Sequence, residues 1–265
     1  MSIIAAYNFC NRDFDAFLTG AAAAGFSQVA VGFYPNYLDL PLEDLTQSQR
    51  EDFQARLAAQ GLGLVAVLAS SNLMADDGVE LLRRKLDGAA SLGVRILDTG
   101  SARWPDGATE AEREEVLGVW VPRMREAADH AASLGITIAL ETHGGQTGDT
   151  PACLQAMERI GHLAVRIAFD PGNYRFYNGA DPHERLDELV PFIAHTHYKD
   201  HRGAKGNADF PRIGMGEVGY ETLVPRLVEL GYAGPHTLER APGDTLEEIN
   251  ASLAYAHDYL TRLLG

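Results

Sequence analysis

The chain has 265 residues, 46% hydrophobic and 22% charged, which is ordinary globular material and enough for one α/β barrel or two small domains. Against 37 acidic side chains stand 22 basic ones, and the formal charge of −15 repels a phosphate backbone, so no nucleic acid is expected as a partner. No apolar run reaches the roughly 18 residues of a membrane helix, and the start Met1-Ser2-Ile3-Ile4 lacks the basic segment and cleavage site of a secretory signal, so the expectation is a cytoplasmic protein with no membrane partner.

In chain order, strand-like apolar runs are predicted near Ile3 to Tyr7, Gln28 to Gly32, Leu62 to Ala69, Val94 to Asp98, Thr137 to Glu141, Val165 to Asp170, Ile193 to His197 and His236 to Glu239. Helical spacing of apolar residues falls between them, at Asp13 to Ala24, Gln47 to Gln60, Gly78 to Leu92, Glu110 to Leu134, Glu221 to Leu230 and Leu246 to Leu264. Gly25, Gly61, Gly93, Gly135 and Gly231 stand where a left-handed helix cap belongs, and a strand follows each almost at once. About eight such beats, with no linker, no repeat and no Gly-rich turn after the first strand, predict an α/β fold: one (β/α)₈ TIM barrel over residues 1–265 rather than a doubly wound sheet. Cys10 and Cys153, far apart and without CxxC spacing, read as packing thiols.

Four of the later strand runs stop on a metal-binding side chain: Glu141, Asp170, His197 and Glu239. Taken singly, each has a structural reading. Asp-Pro-Gly-Asn is a turn in any protein, a lone Glu can bind an Arg or a helix N-terminus, and a lone His is commonly a core residue. Jointly, on four consecutive strands and at the same strand end, they point to one metal site, because the C-terminal ends of barrel strands converge. Three carboxylates and an imidazole suit one divalent ion, Mn²⁺ or Mg²⁺ first, with Co²⁺ or Zn²⁺ within reach and no thiolate to favour zinc.

Strand alternation adds the neighbours: His195, His197 and Lys199 share a face, as do Glu141 and His143, and Thr237 and Glu239. The turn Asp170-Pro171-Gly172-Asn173 brings Asn173 back to the same rim. Lys199 and His143 are expected to hydrogen-bond substrate hydroxyls, with a rim pair between Lys199 and Asp200 as the alternative for the lysine. His195 lies one layer deeper, behind the ligands or facing substrate. Trp104, Tyr174, Phe176 and Tyr177 read as lids over a sugar, or as loop packing or a contact between copies in a homo-oligomer.

The order Glu, Asp, His, Glu over strands five to eight, carried by ALETH, FDPGN, HxKD and GMGE, with Gly231-Tyr232-Ala233-Gly234 leading into the last strand, resembles the xylose isomerase-like TIM barrel superfamily of sugar isomerases and epimerases over nearly the whole chain. The resemblance implies Glu141, Asp170, His197 and Glu239 as ligands of the metal, with Glu141 and Glu239 doubling as acid and base. It implies proton transfer beside the carbonyl of a small keto-sugar or keto-polyol through an enediolate, giving an isomerase or epimerase. The same site serves an inosose-type dehydratase, and the superfamily extends to apurinic endonucleases; a catalytically silent sugar-binding barrel is a third class. The chain departs from the epimerase pattern at Asn173, where a His is usual, and at Gly203, where an Arg is usual and Arg202 stands one position earlier. It departs from the nuclease pattern at Asp209-Phe210-Pro211, with Pro in place of a ligand His.

Overall fold

The computed structural model describes residues 2–105 and 107–265. Eight strands, β1 (Ile4–Tyr7), β2 (Gln28–Gly32), β3 (Gly63–Leu68), β4 (Ile96–Thr99), β5 (Thr137–Glu141), β6 (Val165–Phe169), β7 (Ile193–Tyr198) and β8 (His236–Leu238), each pair in parallel with the next. The ring closes where β8 returns to β1, with Ala6 opposite Leu238. Their β-branched and small apolar residues are buried on both faces, as a parallel sheet wrapped by helices requires. The closed (β/α)₈ barrel is therefore the predicted fold.

The helices around it are α1 (Phe14–Ala23), α2 (Gln47–Ala59), α3 (Gly78–Ser91), α4 (Glu110–Leu134), α5 (Thr150–Ile160), the single turn α6 (Pro171–Asn173), α7 (Leu186–Leu189), α8 (Tyr220–Glu229) and α9 (Leu246–Leu264). Reciprocal caps start three of them: Thr46 with Gln49, Thr109 with Glu112 and Thr245 with Glu248. Each hydroxyl accepts from an otherwise unpaired backbone N–H, worth about 1 kcal/mol per helix start. At the other end of α4, Gly135 takes φ 67°, a left-handed cap that turns the chain directly into β5.

One expectation changes. The sequence reading placed no helix between β5 and β6, yet α5 occupies that stretch, capped by Asp149 at the Ala152 N–H and stopped by Gly161 at φ 60°. Between β6 and β7 the chain makes only short turns, α6, a π-helical turn at Tyr174–Asn178 and α7, so the regular beat weakens where the loop enters the site. Inside the barrel, Tyr7, Ala30, Ala66 and Leu68 from β1 to β3 make an apolar cluster. Asp98, Glu141, His195 and His197 from β4, β5 and β7 line the rest, and Asp98 and the two histidines are wholly shielded from solvent.

Candidate active site

At the C-terminal end of the strands, Glu141 closes β5, Asp170 follows β6, His197 lies in β7 and Glu239 follows β8. Donor atoms of these four all lie within 4.8 Å of one another. Two oxygens across a single cation at about 2.3 Å each stand roughly 4.6 Å apart, so the span fits one ion. The local chain geometry explains the convergence. Asp170 accepts the Asn173 N–H at 2.9 Å and thereby starts α6, while Thr142 donates to the Asp170 carbonyl and accepts its N–H at 2.7 Å, fixing the end of β6 to the end of β5. A Cβ on Gly172 would stand 2.4 Å from the Lys199 carbonyl oxygen, so this turn packs on β7 only with glycine there.

The charges ask for a cation. Lys199 Nζ lies 2.8 Å from Asp170 Oδ2 and 3.0 Å from each Glu239 oxygen, a stand-in ion at the centre of the carboxylates. Burial works against its charge, yet Asp170 and Glu239 hold its pKa above the ordinary value. Burial raises Asp170 well above its usual range, and Glu239 and Glu141 add to the rise against the pull of Lys199. Burial likewise opposes ionisation of the glutamates, but His143 and His197 bring Glu141 well below its ordinary value and Lys199 lowers Glu239. One ammonium does not balance three carboxylates. Among the described residues, Asp170 Oδ2 has no hydrogen-bond donor other than that ion contact, and His197 Nδ1, 3.7 Å from Glu141 Oε1, has no hydrogen-bond partner. These orphaned buried atoms and the hard-to-borderline donor set fit a divalent metal.

Beneath the four lies a second polar cluster that the sequence reading did not single out. Asp98 Oδ2 accepts from the Tyr7 hydroxyl, from His195 Nδ1 at 2.7 Å and from His197 Nε2 at 3.2 Å. His195 Nε2 meets the Thr237 hydroxyl at 2.7 Å. Both ring nitrogens of His195 are thus occupied, and the residue is fully buried and does not line the cavity above, a position behind the ligands rather than facing substrate. Burial lowers its pKa and keeps the ring neutral. For His197 burial works the same way, but Asp98 and Glu141 on its two sides overcome it and raise the pKa well above the usual range. A cation at Nδ1 can replace that proton.

Above the cluster opens a cavity of about 1490 Å³, reached by Glu141, Glu239, His143, Asn173, Lys199 and Tyr177. Asn173 donates from Nδ2 to Glu141 Oε1 at 3.2 Å, and His143 lies between Glu141 Oε2, 3.5 Å away, and the Tyr177 hydroxyl. Arg103, absent from the sequence reading, also lines the cavity and donates to the His143 carbonyl at 2.9 Å. Two further expected contacts lie elsewhere. Trp104 borders a separate cavity with the Arg113 guanidinium 5.4 Å from its ring. Arg202 is half-exposed, does not line the cavity and donates to the Met215 carbonyl at 2.7 Å, within a loop where Arg202 and Asp209 form an antiparallel bridge. Asp200 leaves Lys199 to the other carboxylates: it accepts the N–H groups of His201, Gly214, Gly216 and Val218 at 2.8 to 3.2 Å and so ties down the same loop. Among the described residues, no helix is long and apolar enough to cross a membrane.

Comparison with known proteins agrees with this architecture. L-ribulose-5-phosphate 3-epimerase UlaE of Salmonella heidelberg (strain SL476) is 23% identical over 260 residues, covering 92% of this chain and 87% of that protein. The crystal structure of a xylose isomerase domain protein from Planctomyces limnophilus superposes with a TM-score of 0.80 at 21% identity, over 99% of this chain and 97% of that one. A xylose isomerase-like TIM barrel protein from Mycobacterium smegmatis, crystallised in complex with magnesium, gives 0.77 at 22% identity over 100% and 98%. The model of the xylose isomerase-like TIM barrel family matches residues 18–259, and the chain belongs to that family.

Proposed function

We propose that the protein is a divalent-metal-dependent isomerase or epimerase of a small keto-sugar or related polyol, with Glu141 and Glu239 as its acid and base. One observation carries the assignment. Of the four clustered donors, Asp170 and His197 are sealed at 0% exposure, whereas Glu141 and Glu239 both reach the cavity. Two side chains can therefore touch a metal and a substrate together, and two can only hold the metal. The relative from Salmonella, an epimerase of a phosphorylated ketose by its name, supports the reaction class.

Glu141, Asp170, His197 and Glu239 would hold Mg²⁺ or Mn²⁺, and the magnesium in the Mycobacterium smegmatis protein supports that choice. When bound, the ion supplies Lewis-acid stabilisation to adjacent carbonyl and hydroxyl oxygens. The chain's own groups do the rest. One glutamate, kept ionised by its neighbours, takes the proton from the carbon beside the carbonyl, and the C–H electron pair moves into the π system as an enediolate. The other, which also lines the open cavity and takes a proton from solvent there, returns it to carbon. Delivery to the opposite face of that carbon inverts it, whereas delivery to the neighbouring carbon, with hydroxyl proton exchange, converts aldose and ketose. His143 and Lys199, which both line the cavity, would donate hydrogen bonds to substrate oxygens.

Incubation of a ketose with the protein and Mn²⁺ in D₂O tests this: deuterium should enter at the carbon beside the carbonyl. Glu141→Gln and Glu239→Gln should each slow that exchange by roughly 10²–10⁴-fold. Full exchange in either variant removes that residue from the acid–base role. Loss of water from substrate would assign a dehydratase instead.

A further inference from the structure

We propose that Asp98, at the end of β4, is a positioning residue for the metal site: its carboxylate holds His197 by Nε2–H, so that the ring presents Nδ1 to the cation. The inference rests on the metal-site reading above and goes beyond it, since Asp98 touches none of the other three ligands within the distances that define an ion pair or hydrogen bond. Geometry carries it. Asp98 Oδ2 lies 3.2 Å from His197 Nε2, and His197 Nδ1 faces Glu141 Oε1 at 3.7 Å without a hydrogen-bond partner among the described residues. A neutral ring that donates through Nε2, as it must once a cation replaces the Nδ1 proton, has its lone pair at Nδ1, on the side of Glu141.

The other contacts of Asp98 make the arrangement rigid. Tyr7 from β1 and His195 from β7 donate to the same oxygen, and Thr237 from β8 closes the chain at the far nitrogen of His195. The Tyr7 ring meets His197 edge-on at 4.9 Å between centroids, and His195 meets it likewise at 5.0 Å. Four strands thus fix one imidazole against rotation about its last side-chain bond. Partners behind a ligand histidine that set its tautomer are worth 10–100-fold in metal affinity. The barrel supplies one here at a distance of 99 residues along the chain.

The test is the affinity for Mn²⁺, measured by calorimetry or by the electron paramagnetic resonance signal of the free ion. Asp98→Asn keeps the shape and removes the charge, and should weaken Mn²⁺ binding by about 10–100-fold. Tyr232→Phe removes a buried hydroxyl that donates to the Pro235 carbonyl and bonds to no member of the Asp98 cluster; it should lower the thermal midpoint while leaving affinity within about threefold, an allowance well below the effect expected at Asp98. If the two variants weaken Mn²⁺ binding alike, the role of Asp98 is merely structural and the proposal is overturned. A second measurement needs no variant: with Zn²⁺ as a diamagnetic probe, ¹⁵N-histidine NMR of the intact protein should show His197 bound through Nδ1 and protonated at Nε2. The opposite assignment overturns the proposal. Absence of any metal binding by the parent protein would instead remove the metal-site reading itself, and with it this inference.

Discussion

Lys199 is the residue on which the electrostatics of the site turn. Its side chain is 11% exposed, Asp170 is sealed and Glu239 is 14% exposed, so the ammonium is the buried counter-charge of both carboxylates. Removing one partner of a buried pair costs about 3–5 kcal/mol, because the charge left behind has lost its water as well as its partner. Lys199→Met should therefore lower the unfolding free energy measured in urea with a chelator present by a few kcal/mol, with proton uptake at Asp170, whose pKa burial already raises, limiting the loss. Saturating Mn²⁺ should restore most of it, since a ligand at 100 times its Kd adds about 2.7 kcal/mol to the folded state. Equal losses with and without Mn²⁺ would show that the lysine's charge is not what the carboxylates need.

The β7 element and its loop show which parts of the site a sequence discloses. The four donors are legible because each lies within one residue of the end of a short apolar strand, and the barrel brings strand ends together whatever the loops do. Asp98 carries the same signal, closing Ile96-Leu97-Asp98, but its meaning depends on β4 facing β7 across the barrel, a relation no local pattern states. Arg202 fails for the complementary reason: beyond Tyr198 the chain is a loop, and its course is set by Asp200 and by the bridge to Asp209 rather than by strand alternation. Helix α5 escapes the pattern reading because its apolar residues Cys153, Ala156, Met157 and Ile160 follow a Gly- and Thr-rich approach and a proline, so the short helix reads as loop until Asp149 is seen capping it. In the loop itself, a Cβ on Gly216 would stand 2.3 Å from Asp200 Oδ1, so the GMGE segment and the aspartate of HxKD form one packed unit. Asp200→Asn keeps the shape but trades a charged acceptor for a neutral one, and hydrogen bonds to charged groups contribute about 1.5–3 kcal/mol. We expect a loss of about 2 kcal/mol in chemical denaturation and faster proteolysis within residues 201–219; unchanged cleavage would mean the loop is held by something else.

For the whole molecule the seam of the barrel is a pH-sensitive feature. β8 is only three residues long, and at its first residue the His236 N–H donates to the Ile3 carbonyl at 2.8 Å to close the ring on β1. The His236 imidazole is 1% exposed, accepts from the Tyr198 hydroxyl at 2.9 Å and meets the Tyr232 ring edge-on at 5.1 Å. Among the described residues no carboxylate pairs with it; burial, with His195 nearby, pushes its pKa down to about 4. An unfolded histidine titrates near 6.5, so between about pH 6.5 and 4 the unfolded chain binds a proton that the folded barrel refuses. Stability from this residue is therefore complete above pH 6.5 and is lost as the pH falls toward 4, a change of ~3 kcal/mol at about 1.4 kcal/mol per pKa unit. His195, also lowered by burial, adds to the slope in the same direction. His236→Gln removes the titrating group and retains an acceptor for Tyr198. Urea unfolding of the parent and variant at pH 7.5 and 4.5 should show the variant's free energy falling by ~2–3 kcal/mol less over that interval. An identical fall in both proteins would place the acid sensitivity elsewhere in the barrel and return the seam to a purely apolar closure.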